Sequence, residues 1–170
     1  MPKFRMPVAA LALLLAATPV ASAAPKAAIF PFELNDVSIE GELGGRRADE
    51  TQRLALATQE LRRLATQDAG YELVELSGLE GEIERAAPLY KCGGCEVNIA
   101  RRVGADLAFT GTVRKVSGLI LGLTIQVRDV SNGRLTHVLQ AQIRGNTDES
   151  WIRGIRWLVK NRLLAEPGQQ

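Results

Sequence analysis

Apolar and polar positions recur along this chain with two different periods, and the changeovers between them mark its elements. Residues 27–34 form a compact apolar run, which predicts a first strand buried on both faces with Pro31 at its edge or end. Residues 35–45 are rich in Gly and acids and predict a loop. Over 47–67 the period turns helical. Leu54, Ala57, Leu61 and Leu64 recur at three- and four-residue steps and share one face, and Gly70 suits a left-handed stop. Residues 71–76 predict a second strand. Ser77 is placed to cap a short helix over 79–86, which Pro88 ends. Val97, Ala100, Arg101 and Val103 trace another short helix, closed by Gly104.

The second half of the chain alternates more simply. Residues 105–115 predict a strand. A longer one follows over 119–130, with Leu119, Leu121, Leu123, Ile125 and Val127 on one face. Asn132-Gly133 then predicts a tight hairpin with positive φ at both positions, and 135–144 is the returning strand. Residues 146–149 resemble a capping box, opening an amphipathic last helix whose Trp151 and Trp157 are expected to pack on the sheet. The order is β-α-β-α-α-β-β-β-α. Strands alternating with helices favour parallel pairing, and strands joined by short turns are antiparallel. The expected fold is α/β (α+β): a mixed sheet of about five strands with helices packed on it, ending in an antiparallel meander and a helix.

The first two dozen residues follow different rules. Lys3 and Arg5 make a basic head, Val8 to Ala17 is an apolar run, and Ala21-Ser22-Ala23 supplies a small-x-small cleavage pattern. This layout predicts a secretory signal over 1–23, cleaved near Ala23/Ala24, and a single α/β domain over 24–170 in the periplasm. The run is short of the about 20 apolar residues needed to span a bilayer, so no transmembrane segment is expected after cleavage. Cleavage also changes the charge. The signal carries two of the 21 basic residues and none of the 19 acids, so the mature chain is formally neutral. Its basic pairs, such as Arg62-Arg63 and Arg101-Arg102, lie beside acids on helix-like stretches. Nucleic acid is therefore not an expected partner.

Candidate chemistry is sparse. Nucleophile-elbow, P-loop, H-E-x-x-H and dinucleotide patterns do not occur, so no catalytic residue and no cofactor is assigned. His137 alternates in phase with Leu135 and Leu139 and reads as a half-buried sheet residue. The sharpest feature is Cys92-Gly93-Gly94-Cys95, which admits three readings. One is a structural disulfide in an oxidising compartment. Another is a thiol-disulfide redox pair at a helix start, opposed by the acid Glu96 next to Cys95. The last is metal binding, for which two Cys and the distant His137 fall short of four ligands. Asp36, Glu40 and Glu42 cluster after the first strand, where open α/β sheets bind ligands, and form a candidate ligand site beside the plainer reading of a solvated loop.

The stretch Cys92-Gly93-Gly94-Cys95-Glu96, with Ile99-Ala100, Gly104-Ala105-Asp106, Gly111, Arg114-Lys115-Val116-Ser117, Val127-Arg128-Asp129-Val130 and Gly133, resembles a secreted proteobacterial family known only as a domain of unknown function. The run from Ala28 to Leu34 and Ser38-Ile39-Glu40-Gly41-Glu42 resemble the same family. More loosely, the order of the last strands and helix is similar in fold to the N-terminal domain of the Tol-Pal protein TolB and to the curli secretion protein CsgG. The family resemblance implies a setting near genes of quinoprotein alcohol oxidation. Taken together, the expectation is a non-enzymatic periplasmic accessory or binding protein acting on a protein partner or small ligand. The alternative is a thiol-disulfide redox protein using Cys92 and Cys95.

Overall fold

The computed structural model describes residues 23–165. The predicted leader through Ser22 and the last five residues lie outside them. Six strands form one mixed sheet in the order β3-β1-β4-β5-β6, with β2 also on β4. They are β1 (Lys26–Ile29), β2 (Glu33–Asp36), β3 (Glu72–Val74), β4 (Leu107–Lys115), β5 (Ile120–Asp129) and β6 (Leu135–Arg144). Between them run α1 (Ile39–Gly44), α2 (Ala48–Gln67), α3 (Glu80–Ala86) and α4 (Glu96–Arg102). After β6 comes α5 (Asp148–Leu158), which continues as a π turn over Val159–Leu163. β1 pairs in parallel with β3 and with β4, β2 pairs in parallel with β4, and β4, β5 and β6 form the antiparallel meander. The mixed α/β architecture is as the periodicity predicts.

The first strand departs from its reading. The run 27–34 is two strands, both against the same side of β4, with Phe30-Pro31-Phe32 between them. Ile29 pairs with Phe109 and Glu33 with Thr112, so three residues on this side face two on β4. That is a bulge, and Pro31, without an N–H, occupies it. Phe32 swings over Gly111, where a Cβ would lie 2.5 Å from its ring. Its own N–H turns away to Thr58 Oγ1 at 2.9 Å. The expected loop over 35–45 likewise contains α1, started by the Ser38 hydroxyl accepting the Gly41 N–H.

Two apolar clusters flank the sheet. On one face, Leu54, Leu61 and Leu64 of α2 and Trp151, Ile155 and Leu158 of α5 pack on Phe109, Val113, Leu123 and Ile125. On the other, Val97, Ile99 and Ala100 of α4 and Leu76 and Leu89 pack on Ala28, Phe30 and Ala108. Leu121, Leu123, Ile125 and Val127 share the buried face as expected, but Leu119 stands before the strand and is exposed. Trp151 is buried on the sheet, whereas Trp157 is 46% exposed. His137 is half-buried.

The β5–β6 hairpin forms, with a turn longer than the Asn-Gly reading. Only Gly133 has positive φ (72°), and Asn132 does not. Asp129 Oδ1 accepts the N–H groups of Ser131 (2.8 Å) and Asn132 (3.3 Å), while the Gly133 N–H donates to Asp129 O at 2.8 Å. Val130 is drawn into the second core cluster, which stretches the loop beyond two residues. The last helix is capped by Thr147, whose side chain accepts from the Ser150 N–H, while the Ser150 hydroxyl accepts the Thr147 N–H. Ser77 does not cap α3, whose N-cap position is Leu79. Among the described residues, no helix is long and apolar enough to cross a membrane.

Candidate functional site

Parallel strands β2 and β4 end together, with Asp36 opposite Lys115. This is the sheet end at which α/β proteins place ligands. Lys115 is only 3% exposed, and its Nζ lies 3.0 Å from Asp36 Oδ2 and 2.7 Å from Glu50 Oε1. Glu50 is fully buried in the first turn of α2. Its carboxylate also accepts from Asn146 Nδ2 at 2.8 Å and from the Arg47 N–H at 3.3 Å. Asp36 accepts the Ser38 N–H (3.0 Å) and hydroxyl (2.6 Å). Arg53 bridges Asp49 and Asp148 and donates to Asn146. The network joins the ends of β2 and β4 to the N-termini of α2 and α5.

Burial alone would push both carboxyls up, but for Asp36 the Ser38 and Lys115 donors override it and hold the group below its ordinary range. Burial is likewise overridden at Glu50 by Lys115, the Arg47 N–H and Asn146. Burial works against the Lys115 ammonium too, yet the two carboxylates raise its pKa. All three groups are therefore charged at neutral pH, and each is hydrogen-bonded, as a stable buried ion cluster requires. Glu40 borders a cleft of about 420 Å³ above this network, together with Arg47, Asp49 and Arg53. Glu42 is exposed on α1. Of the three candidate acids, Asp36 is thus committed to internal bonds, while Glu40 and Glu42 face outward.

The same end carries an apolar surface. Helix α1 buries none of its residues. Ile39 (74% exposed) and Leu43 (86%) stand four residues apart and so share its outer face. Val37 is exposed beside them, and its N–H donates to Lys115 O, which sets it next to Val116. Val116 bonds to Ile120 across the β4–β5 turn, and Leu119 (61% exposed) is at the tip. Six of the large exposed hydrophobics therefore gather at one end of the sheet. The i, i+4 spacing of Ile39 and Leu43 was a signal for this face, masked by the Gly and acid content around it.

The Cys corner lies on the other side of the sheet. Cys92 and Cys95 are paired sulfur to sulfur as a disulfide, and Cys95 is the N-cap residue of α4. Gly93 and Gly94 both have positive φ, which lets the short ring close. Glu96 is 2% exposed and 2.9 Å from Arg128 Nε, an ion pair in which the N–H is not aimed at the oxygen. Arg128 also donates to Gly133 O at 3.1 Å and so ties α4 to the hairpin. Arg128 entered the sequence reading only inside the family motif Val127-Arg128-Asp129-Val130, with no role attached to it. Donor atoms of Cys92, Cys95 and Glu96 lie within 4.8 Å of one another, but sulfurs joined in a disulfide offer no thiolate to a metal. His137 Nδ1 is 3.2 Å from Thr136 Oγ1 on β6.

A family described as "Protein of unknown function (DUF2380)", DUF3280, matches residues 25–163. The chain belongs to this family. No curated protein matches it. Among solved structures, it is similar to the LpoB C-terminal domain from Escherichia coli, at 15% identity and a TM-score of 0.51 over 74% of this chain and 87% of that one. It is similar to lipoprotein GNA1162 from Neisseria meningitidis, at 15% identity and 0.50 over 82% and 97%. TolB from Acinetobacter baumannii matches at 15% identity and 0.48 over 86% of this chain and 30% of that one. At such identities the likenesses to the LpoB domain and GNA1162 are ones of fold alone.

Proposed function

We propose that this DUF3280 family member is a non-enzymatic periplasmic accessory protein that binds a protein partner through the apolar end of its sheet. One observation carries the reading: α1 buries nothing and holds Ile39 and Leu43 outward beside the exposed tip of the β4–β5 turn. Covering such side chains is worth about 1.5–3 kcal/mol each, and a gathered apolar patch marks an interaction site. Glu40 and Glu42 lie between the apolar positions of α1 and disfavour an anionic lipid surface. The buried Lys115 network gives the patch a rigid base. A small ligand would instead use the cleft bordered by Glu40, with Asp36 bracing its floor from below. Export rests on the Lys3/Arg5 head and the Ala21-Ser22-Ala23 pattern, with Ala24 as first mature residue. The family's implied setting makes components of quinoprotein alcohol oxidation the first partners to test. Cys92 and Cys95 serve in this reading as a structural disulfide that fixes the start of α4.

The test is a photo-crosslinking residue placed at Leu43, at Leu119 or, as control, at exposed Arg85 in the exported protein. A discrete protein adduct is expected from the first two sites and not from the third, and Ile39→Ser should abolish it. Equal adducts at all three sites, or none at Leu43 and Leu119, would refute the reading. The redox alternative is favoured by the paired sulfurs at a helix start. Insulin reduction above background would support it.

A further inference from the structure

The edges of the sheet are unlike, and β2, paired only with β4, is a short edge of four residues. β3 is three residues long, whereas β6 has ten, and among the described residues no strand lies beyond it. Long edges are normally blunted by Lys, Pro or an inward charge, because their unpaired backbone groups template a further strand. β6 has no Lys and no Pro, and its single charged residue, Arg144, is at its end. The Gly145 N–H donates to Leu119 O, and hydrogen-bonded pairs alternate along an antiparallel ladder. Leu121–Ile143, Leu123–Ala141 and Ile125–Leu139 are therefore the bonded pairs in this register. The N–H and C=O groups of Val138, Gln140, Gln142 and Arg144 consequently point away from β5. Exposed Leu135, Val138 and Trp157 flank this edge, and a groove of about 600 Å³ runs between β6 and α5.

We propose that β6 is a homodimerisation edge, pairing antiparallel with β6 of a second copy about a two-fold axis at Gln140. The strand is self-complementary in that register. Gln140 meets Gln140 of the second copy, Val138 meets Gln142, and Arg144 meets the neutral Thr136. Shifting the axis to Leu139 sets Arg144 against Arg134, and shifting it to Arg144 sets that residue against itself. The Gln140 axis gives the longest ladder that opposes no like charges, and opposite like charges destabilise cross-strand pairs. The result is one sheet continuous through both copies. The interface runs along β6 and adjoins the apolar end patch only where Arg144 pairs with Ile120.

Sedimentation equilibrium and residue-resolved hydrogen exchange on the mature protein test this. The wild type should be dimeric, with slow exchange at the amides of Val138, Gln140 and Gln142. Gln140→Pro removes an N–H that faces outward, so it breaks no bond to β5 and should weaken the dimer roughly tenfold or more. Val138→Lys with Gln142→Lys opposes like charges twice and should also dissociate it. Val138→Lys with Gln142→Glu opposes unlike charges and should retain it. A monomeric wild type overturns the proposal, whether its edge amides exchange fast or are covered by its own chain or another partner. A dimer indifferent to Gln140→Pro, or to the sign of charge at residue 142, overturns it as well. Leu43→Ser should leave the dimer intact, which separates this test from that of the end patch.

Discussion

Replacing Lys115 by Met removes the one cation between two carboxylates that stay behind. In the native protein Lys115 Nζ makes contacts of 2.7 and 3.0 Å with Glu50 and Asp36, while Glu50 is 0% exposed. Hydrogen bonds to charged groups contribute about 1.5–3 kcal/mol each, and breaking a buried pair by deleting one partner costs about 3–5 kcal/mol. Methionine keeps most of the alkyl packing, so the loss is electrostatic, and about 3–5 kcal/mol is expected at pH 7. At roughly 3 °C per kcal/mol for a domain of this size, the melting temperature falls by about 10–15 °C. The pH dependence supplies the sharper check. In the wild type, Asp36 and Glu50 have depressed pKa values, so their stabilisation is present above the ordinary carboxylate range and lost as pH falls through their lowered values. Lys115 has a raised pKa, so its share is present below the ordinary lysine value and lost only as pH climbs through the raised one. In the variant the orphaned carboxylates are relieved by protonation. Urea unfolding followed by circular dichroism should therefore show a penalty that is largest at pH 7, smaller near pH 4, and still shrinking as pH falls through the lowered wild-type values. Adding Glu50→Gln to Lys115→Met should recover part of the loss at pH 7, because coupled groups are not additive. A penalty under about 1 kcal/mol, or one equal at both pH values, would refute the account of the cluster.

Two further outcomes follow from local geometry. Gly133→Val should destabilise the domain by about 1–2 kcal/mol, because a β-branched residue resists a φ of 72° although its Cβ would meet nothing within 4 Å; a melting curve coincident with the wild type would show that the turn tolerates it. Changing Cys92 and Cys95 together to Ser should cost at most about 2 kcal/mol, the loop-entropy value for so short a ring, and leave a folded protein by circular dichroism. The unaltered protein should show no maleimide-reactive thiol, and two reactive thiols after isolation from the periplasm would contradict the structural disulfide.

The order of elements was legible because it rests on local periodicity. Leu54, Ala57, Leu61 and Leu64 state the buried face of α2, and alternation through Leu121, Leu123 and Ile125 states that of β5, whatever the rest of the chain does. The Cys pair, with two Gly between, was equally local. Three things were not. The bulge at Phe30-Pro31-Phe32 depends on the register of β4 and on the space over Gly111, which belong to a segment some eighty residues away. Asp36 read as a free acid because its partners, Lys115 and Glu50, come from other elements and meet it only when β2, β4 and α2 converge. Periodicity also says which side chains share a face but not whether anything covers that face. Ile39, Leu43, Leu119 and Trp157 are apolar residues at regular positions, as core residues are, and only the packing of the whole sheet left them at its end and edge.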